Sequence, residues 1–95
     1  MNADYETLRN HHERAVFEGV NAAAAQFPHL REQGLLADIA CVALNRLPPR
    51  YIRHEVDFAF FLTEKERNET QAAVDEAVEF AVQFVQARAA MKARR

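Results

Sequence analysis

The 95 residues have room for one domain, and a monomer of this size keeps only a modest stability margin, so pairing with a second copy is open from the start. The chain is 49% hydrophobic and 27% charged with 2 Gly and 3 Pro, the profile of a helical globular domain, which excludes a disordered or collagen-like chain. Its net charge of -2 argues against a whole-surface nucleic-acid binder and confines any anion recognition to a local basic patch.

The start, Met1-Asn2-Ala3-Asp4-Tyr5-Glu6, lacks the basic opening and apolar run of a signal peptide. No stretch approaches the ~20 apolar residues needed to cross a bilayer, so a soluble, unprocessed chain without membrane insertion is expected. Cys41, the single cysteine, cannot close an intramolecular disulfide. Its apolar surroundings predict a small core residue in a reducing cytoplasm.

From Asp4 to about Gln26, Tyr5, Leu8, Val16, Val20 and Ala23 fall on one stripe at ~100° per residue, which predicts a first helix with Asp4 as its N-cap. Alanines 22 to 25 favour it. Phe27-Pro28 closes it, because the residue before a proline is pushed out of the α region. A polar link from His29 to Gly34 leads to a second helix, Leu35 to Asn45, apolar on nearly all sides and therefore central. On its wheel Leu36, Ile39, Ala40, Ala43 and Leu47 form one arc, while Asp38 and Asn45 share a second strip with Cys41 and Val42 between them.

Pro48-Pro49 ends this helix, since Leu47 is disfavoured in α geometry and neither proline can donate to the ladder. Beyond it Val56, Phe58 and Phe60 alternate loosely with Asp57, Ala59 and Phe61, which predicts an extended segment or short strand at about 50–61. With no partner strand evident, it is expected to pair with its copy in a dimer or to lie over the helices. Thr63-Glu64-Lys65-Glu66 fits a capping box and opens a third helix that reaches about Arg88 or beyond, on the order of 39 Å at ~1.5 Å per residue. Its apolar residues Ala73, Val74, Ala77, Val78, Phe80, Ala81, Val82, Phe84 and Val85 span about half the circumference, wider than the ~100° stripe one packing surface requires. Two packing partners are implied. Arg88, Lys92, Arg94 and Arg95 complement the macrodipole at the far end; a nucleic-acid arm is the weaker reading of so short a terminal cluster. The expected fold is one all-α domain over residues 1–95, three to four helices with the extended segment, paired as a homodimer.

Little in this chain suits catalysis. His11 and His12 are adjacent and point about 100° apart on a helix, so they cannot chelate one ion together. His12 lies on the apolar stripe and is expected as a hydrogen-bonded interior or interface imidazole, while His29 and His54 stand alone in linking segments. There is no serine, no paired cysteine, no phosphate-cradling glycine loop and no HExxH. Glu64, Glu66, Glu69, Asp75, Glu76 and Glu79 form the solvated face of the third helix. Neither an enzyme nor a cofactor or metal is expected.

Asn45, Arg46, Arg50, Tyr51, Arg53 and His54 stand apart. They gather three guanidinium groups, an amide, an aromatic ring and an imidazole within ten positions, a set suited to phosphate charge and to a nucleobase face or edge. The competing reading is a solvated basic loop with Tyr51 packed inward. Asp38 is read first as a structural anchor for Arg46 or Arg50 and second as a ligand contact.

The run from Asp38 to Tyr51, Asp38-Ile39-Ala40-Cys41-Val42-Ala43-Leu44-Asn45-Arg46-Leu47-Pro48-Pro49-Arg50-Tyr51, resembles the core motif of the late-competence ComFB family, which reads roughly D-I-x-x-x-A-L-N-x-L-P-P-x-Y. In organisation the likeness extends from about Asn10 to Arg88. It implies a small helical homodimer without enzymatic activity, of a family in which several members are receptors for cyclic di-nucleotides (c-di-GMP or c-di-AMP) acting on surface motility, pili or DNA uptake. Some members carry a cysteine cluster before the second helix that looks like a zinc site. The stretch Pro28 to Ala37 contains none, so metal binding is not carried over. The run Arg53-His54-Glu55-Val56-Asp57 looks like a subgroup variant, which leaves the choice of messenger open. On this resemblance the ligand set is Asp38, Asn45, Arg46, Arg50, Tyr51, Arg53 and His54. Arg46, Arg50 and Arg53 lie near phosphates, Tyr51 stacks on a base, and Asn45 or Asp38 reads an edge or holds the loop. The alternative is a helical adaptor that docks a partner protein through the apolar third helix, with no small ligand.

Overall fold

The computed structural model describes residues 5–54, 56 and 62–94. In chain order these form a 3-10 turn (Tyr5–Thr7), β1 (Arg9–Asn10), α1 (Glu13–Gln26), α2 (His29–Glu32), α3 (Leu36–Arg46), β2 (Tyr51–Ile52) and α4 (Glu64–Ala93). The described residues are mostly helical with one short two-stranded antiparallel sheet, the small all-α domain that the periodicity calls for.

α1 begins eight residues later than the apolar stripe suggests. Asn10 Oδ1 accepts from the His12 N–H at 3.2 Å, and the Asn10 N–H donates to Glu13 Oε2 at 3.3 Å. This reciprocal arrangement satisfies free amides at a helix entrance in the manner of a capping box, so the helix starts at Glu13 and the chain before it is free to turn and pair. The proposed Asp4 cap lies outside the described residues. At the other end α1 stops at Gln26, ahead of Pro28.

The link from His29 to Gly34 is not a plain loop. Pro28 has φ -56°, pre-set for a helix start, and one turn of helix follows with Leu30 fully buried as its anchor. The Leu35 N–H donates to Leu30 O and the Gly34 N–H to Arg31 O, both at 3.0 Å, the paired bonds of a Schellman ending. That ending needs a left-handed residue, and Gly34 supplies it at φ 69°.

α3 buries Ile39, Ala40 and Ala43, with Leu47 just beyond its end, as the wheel predicts. Leu47 takes ψ 137°, the extended geometry demanded by the following proline. The helix is not buried all round, however. Asp38, Cys41, Asn45 and Arg46 are exposed, and Cys41 is therefore not a core residue. The spacing explains this: positions 38, 41 and 45 recur at intervals of three and four, so the thiol lies on the polar strip and not on the arc that meets the core.

α4 opens with the expected capping box between Thr63 and Glu66 and runs for 30 residues, about 45 Å. Val74, Ala77, Val78, Ala81, Val82 and Val85 face inward, and both α1 and α3 pack along this side. The core joins them to Val16, Val20, Leu30, Ile39 and Ala43. At Gly19, α1 lies against α4, and an added Cβ would lie 3.1 Å from Val78 Cγ2. Phe80 and Phe84 remain 39% and 46% exposed. Among the described residues no helix is long and apolar enough to cross a membrane.

The strand after the prolines does have a partner within the chain. Tyr51–Ile52 pairs antiparallel with Arg9–Asn10, with Arg9 opposite Ile52 and Asn10 opposite Tyr51, which overturns the expectation of pairing with a second copy at these residues. Two residues of β1 are too few to carry an alternation, so the partner was hidden inside the stretch assigned to the first helix. The alternation at 57–61 lies outside the described residues, and Val56 is exposed.

Candidate functional site

Leu47, buried at the end of α3, fixes the point from which Pro48-Pro49 lead the chain away. The prolines have no N–H to offer, so Arg50 is the first residue whose amide can be held. Its N–H donates to Asn10 Oδ1 at 3.2 Å, and its carbonyl accepts from the His11 N–H at 2.6 Å. Ile52 then anchors the segment inward at 8% exposure, while Tyr51 stands 65% exposed. The inward aromatic of the competing loop reading is thus replaced by an isoleucine, and the tyrosine ring faces water. Arg53 donates from Nε to Thr7 Oγ1 at 3.2 Å, and His54 follows, exposed. Arg50, Tyr51, Arg53 and His54 therefore lie on one exposed segment whose backbone is tied to β1. A shallow groove of about 290 Å³ runs beside it, lined by His12, Pro48, Pro49, Arg50, Glu69 and Thr70 among others.

The other three candidates lie elsewhere. Asp38 is in the first turn of α3 and Arg46 in the last, about 12 Å apart along the axis, too far for the expected anchoring. Glu76 of α4 holds Arg46 instead, with Nη2 and Nε at 2.8 Å and 3.3 Å from Oε1. The same guanidinium lies 3.9 Å from the centroid of the Phe80 ring. Asn45 donates from Nδ2 to Cys41 O at 3.0 Å, a bond back to its own helix.

Arg46 belongs to a second surface, on the outward side of α3 and α4. Phe80 and Phe84 stack at 5.8 Å between centroids, and Arg88 lies 5.6 Å from the Phe84 ring. Along α4 the apolar residues Ala73, Ala77, Phe80, Phe84, Ala87 and Met91 recur at alternating steps of four and three, the spacing of a coiled-coil seam. All but Ala77 are exposed.

The histidines divide similarly. His12 is half-buried, but it occupies the N-cap position of α1 without a side-chain cap bond, and its buried Nδ1 has no hydrogen-bond partner among the described residues, unlike the hydrogen-bonded imidazole expected. His29 does not stand alone: its Nε2 is 2.7 Å from Gln86 Oε1, which ties α2 to α4.

Sequence reasoning overlooked Asn10, Thr7 and the Arg46–Glu76 link. Asn10 was legible in principle, because Asn10-His11-His12-Glu13 has the spacing of a helix-entry box. Thr7 meets Arg53 across 46 positions, and no local pattern announces such a contact.

The family model of Late competence development protein ComFB matches residues 9–89, from β1 almost to the end of α4. No curated protein and no solved structure matches the chain. The family match spans the Pro-Pro motif, the strand pair that holds it and the three helices beneath it, and the chain belongs to the ComFB family of late competence development proteins.

Proposed function

We propose that this ComFB protein is a non-enzymatic receptor for a cyclic di-nucleotide, c-di-GMP or c-di-AMP, which acts as a cytoplasmic homodimer in the control of competence, pili or motility. The observation that carries the reading is the exposed segment Arg50, Tyr51, Arg53 and His54, held in place through its backbone. A cyclic di-nucleotide presents two phosphodiester charges and two flat bases. Arg50 and Arg53 offer forked donors for the phosphates, and the exposed Tyr51 ring offers a stacking face. Arg46 enters this account only by leaving Glu76, and Asp38 and Asn45 stand on the exposed polar strip of α3. These groups bind and orient; nothing in the proposed role requires a bond to be broken.

The apolar seam of α4 supports the homodimer. Phe80 and Phe84 are large rings left in water by the single chain, and covering them with a second copy removes that exposure. Calorimetric titration with both messengers tests the receptor role, and failure of both to bind below ~100 μM, about -5.5 kcal/mol, ends it.

The same two exposed rings favour a second reading, an adaptor that docks another protein on α4 and takes no small ligand. Sedimentation velocity separates the two: the adaptor runs as a monomer, and a stable dimer that buries Phe80 and Phe84 rules it out.

A further inference from the structure

We infer that Thr7 and Asn10, which lie before the first helix, are positioning residues of the recognition segment, holding Arg53 and Arg50 in the geometry that receives a phosphodiester. The inference rests on the receptor reading above and adds to it a second stretch of chain.

Asn10 is the one polar side chain that is buried among the described residues. A buried amide is tolerated only when its polar atoms are satisfied, and both lone pairs of its Oδ1 are used, one by the His12 N–H and one by the Arg50 N–H, each at 3.2 Å. The second of these bonds spans 40 positions. It acts directly after two residues that have no amide hydrogen, at the first backbone donor beyond them. With the His11 N–H on the Arg50 carbonyl, both backbone polar groups of Arg50 are fixed to the β1 corner. The position from which the Arg50 side chain departs is thereby set by the Asn10 side chain together with the His11 N–H.

Thr7 acts on the side chain itself. Its hydroxyl oxygen accepts from Arg53 Nε, which uses one of the five guanidinium donors and orients the plane that carries the other four. Arginine loses much rotamer freedom when it is immobilised on a ligand, and ordering it beforehand removes that loss from binding. Both contacts come from outside the Pro-Pro motif, one acting on Arg50 within it and the other on Arg53 just beyond it.

The test uses the full chain with four substitutions, titrated with c-di-GMP and c-di-AMP alongside melting curves and amide hydrogen exchange. Thr7 is exposed, and Thr7→Val removes the acceptor while keeping the size and shape of the side chain. It is expected to leave the melting temperature unchanged and weaken binding about two- to tenfold, the cost of re-ordering one long side chain. Thr7→Ser, which keeps the hydroxyl, restores wild-type affinity. Asn10→Ala is expected to speed exchange at the Arg50 amide and weaken binding, and Asn10→Asp, which keeps an acceptor oxygen, recovers both. If Asn10→Ala does not fold, the threonine pair decides alone. Wild-type protein that binds while Thr7→Val binds equally well overturns the positioning role and leaves the receptor reading intact. Wild-type protein that binds neither messenger overturns both, and faster exchange at Arg50 then marks Asn10 as a purely structural clamp.

Discussion

Gly19 in the middle of α1 sets how closely that helix can approach α4, and Gly19→Ala tests it in two backgrounds. Glycine within a helix is about 1 kcal/mol less favourable than alanine, so the substitution alone should stabilise an unhindered helix by about that amount. Here the new Cβ would meet Val78 Cγ2 at 3.1 Å, Cγ1 at 3.6 Å and Cβ at 3.7 Å. Val78 is 7% exposed and β-branched on a helix, so it has one strongly preferred rotamer and little room to turn away. Crowding of a packed core by one methyl typically costs about 1–3 kcal/mol, which outweighs the propensity gain. The expected net effect is a loss of about 1 kcal/mol, or roughly 4–8 °C in melting temperature for a domain of this size. In a Val78→Ala background the two nearest carbons are gone. There Gly19→Ala should change sign and stabilise by about 0.5–1 kcal/mol, a coupling of about 2 kcal/mol across the cycle. Urea unfolding monitored by circular dichroism measures all four proteins. A gain in stability from Gly19→Ala in the wild-type background, or equal effects in both, would refute the claim that this contact sets the helix spacing.

Tyr51→Ala should alter stability by no more than about 0.5 kcal/mol, because the ring is 65% exposed, yet it should weaken messenger binding by the ~1–3 kcal/mol of a lost base stack. Parallel melts and titrations check that split. Arg46→Ala should weaken messenger binding less than Arg50→Ala or Arg53→Ala, since Glu76 already holds its guanidinium 2.8 Å away. Its effect on folding should stay near 1 kcal/mol, the scale of an exposed ion pair with one cation–π contact. A thiol reagent should label Cys41 in the native protein without denaturant, at one thiol per chain; protection until unfolding would return this residue to the interior.

Much of the candidate site was legible in the chain because it sits where local rules are strong. The double proline had to end a helix, and the basic and aromatic residues after it were bound to lie on a surface because so many charges cannot be buried together. The expected anchoring of Arg46 by Asp38 is absent for a geometric reason. Seven or eight positions on a helix return a side chain to nearly the same face but carry it about 10–12 Å along the axis, and a wheel projection hides that distance. Cys41 was misplaced by composition: its neighbours in sequence are apolar, while its neighbours on the helix surface are Asp38 and Asn45.

The three longer helices, their ends apart from the start of α1, and the inward faces of α3 and α4 follow from the amino-acid sequence, because hydrophobic period, proline geometry and capping chemistry all act within a few residues. Thr63 and Glu66 specify the start of α4 between themselves, and Ile39, Ala40, Ala43 and Leu47 identify the buried side of α3 without reference to any other element. Contacts across tens of positions were decided only when the helices packed. The pairing of Arg9–Asn10 with Tyr51–Ile52, the capture of Arg46 by Glu76 and the hold of Asn10 on Arg50 each join segments that are distant in sequence. Such contacts depend on where the packed core of α1, α3 and α4 carries each chain end, which no local pattern records.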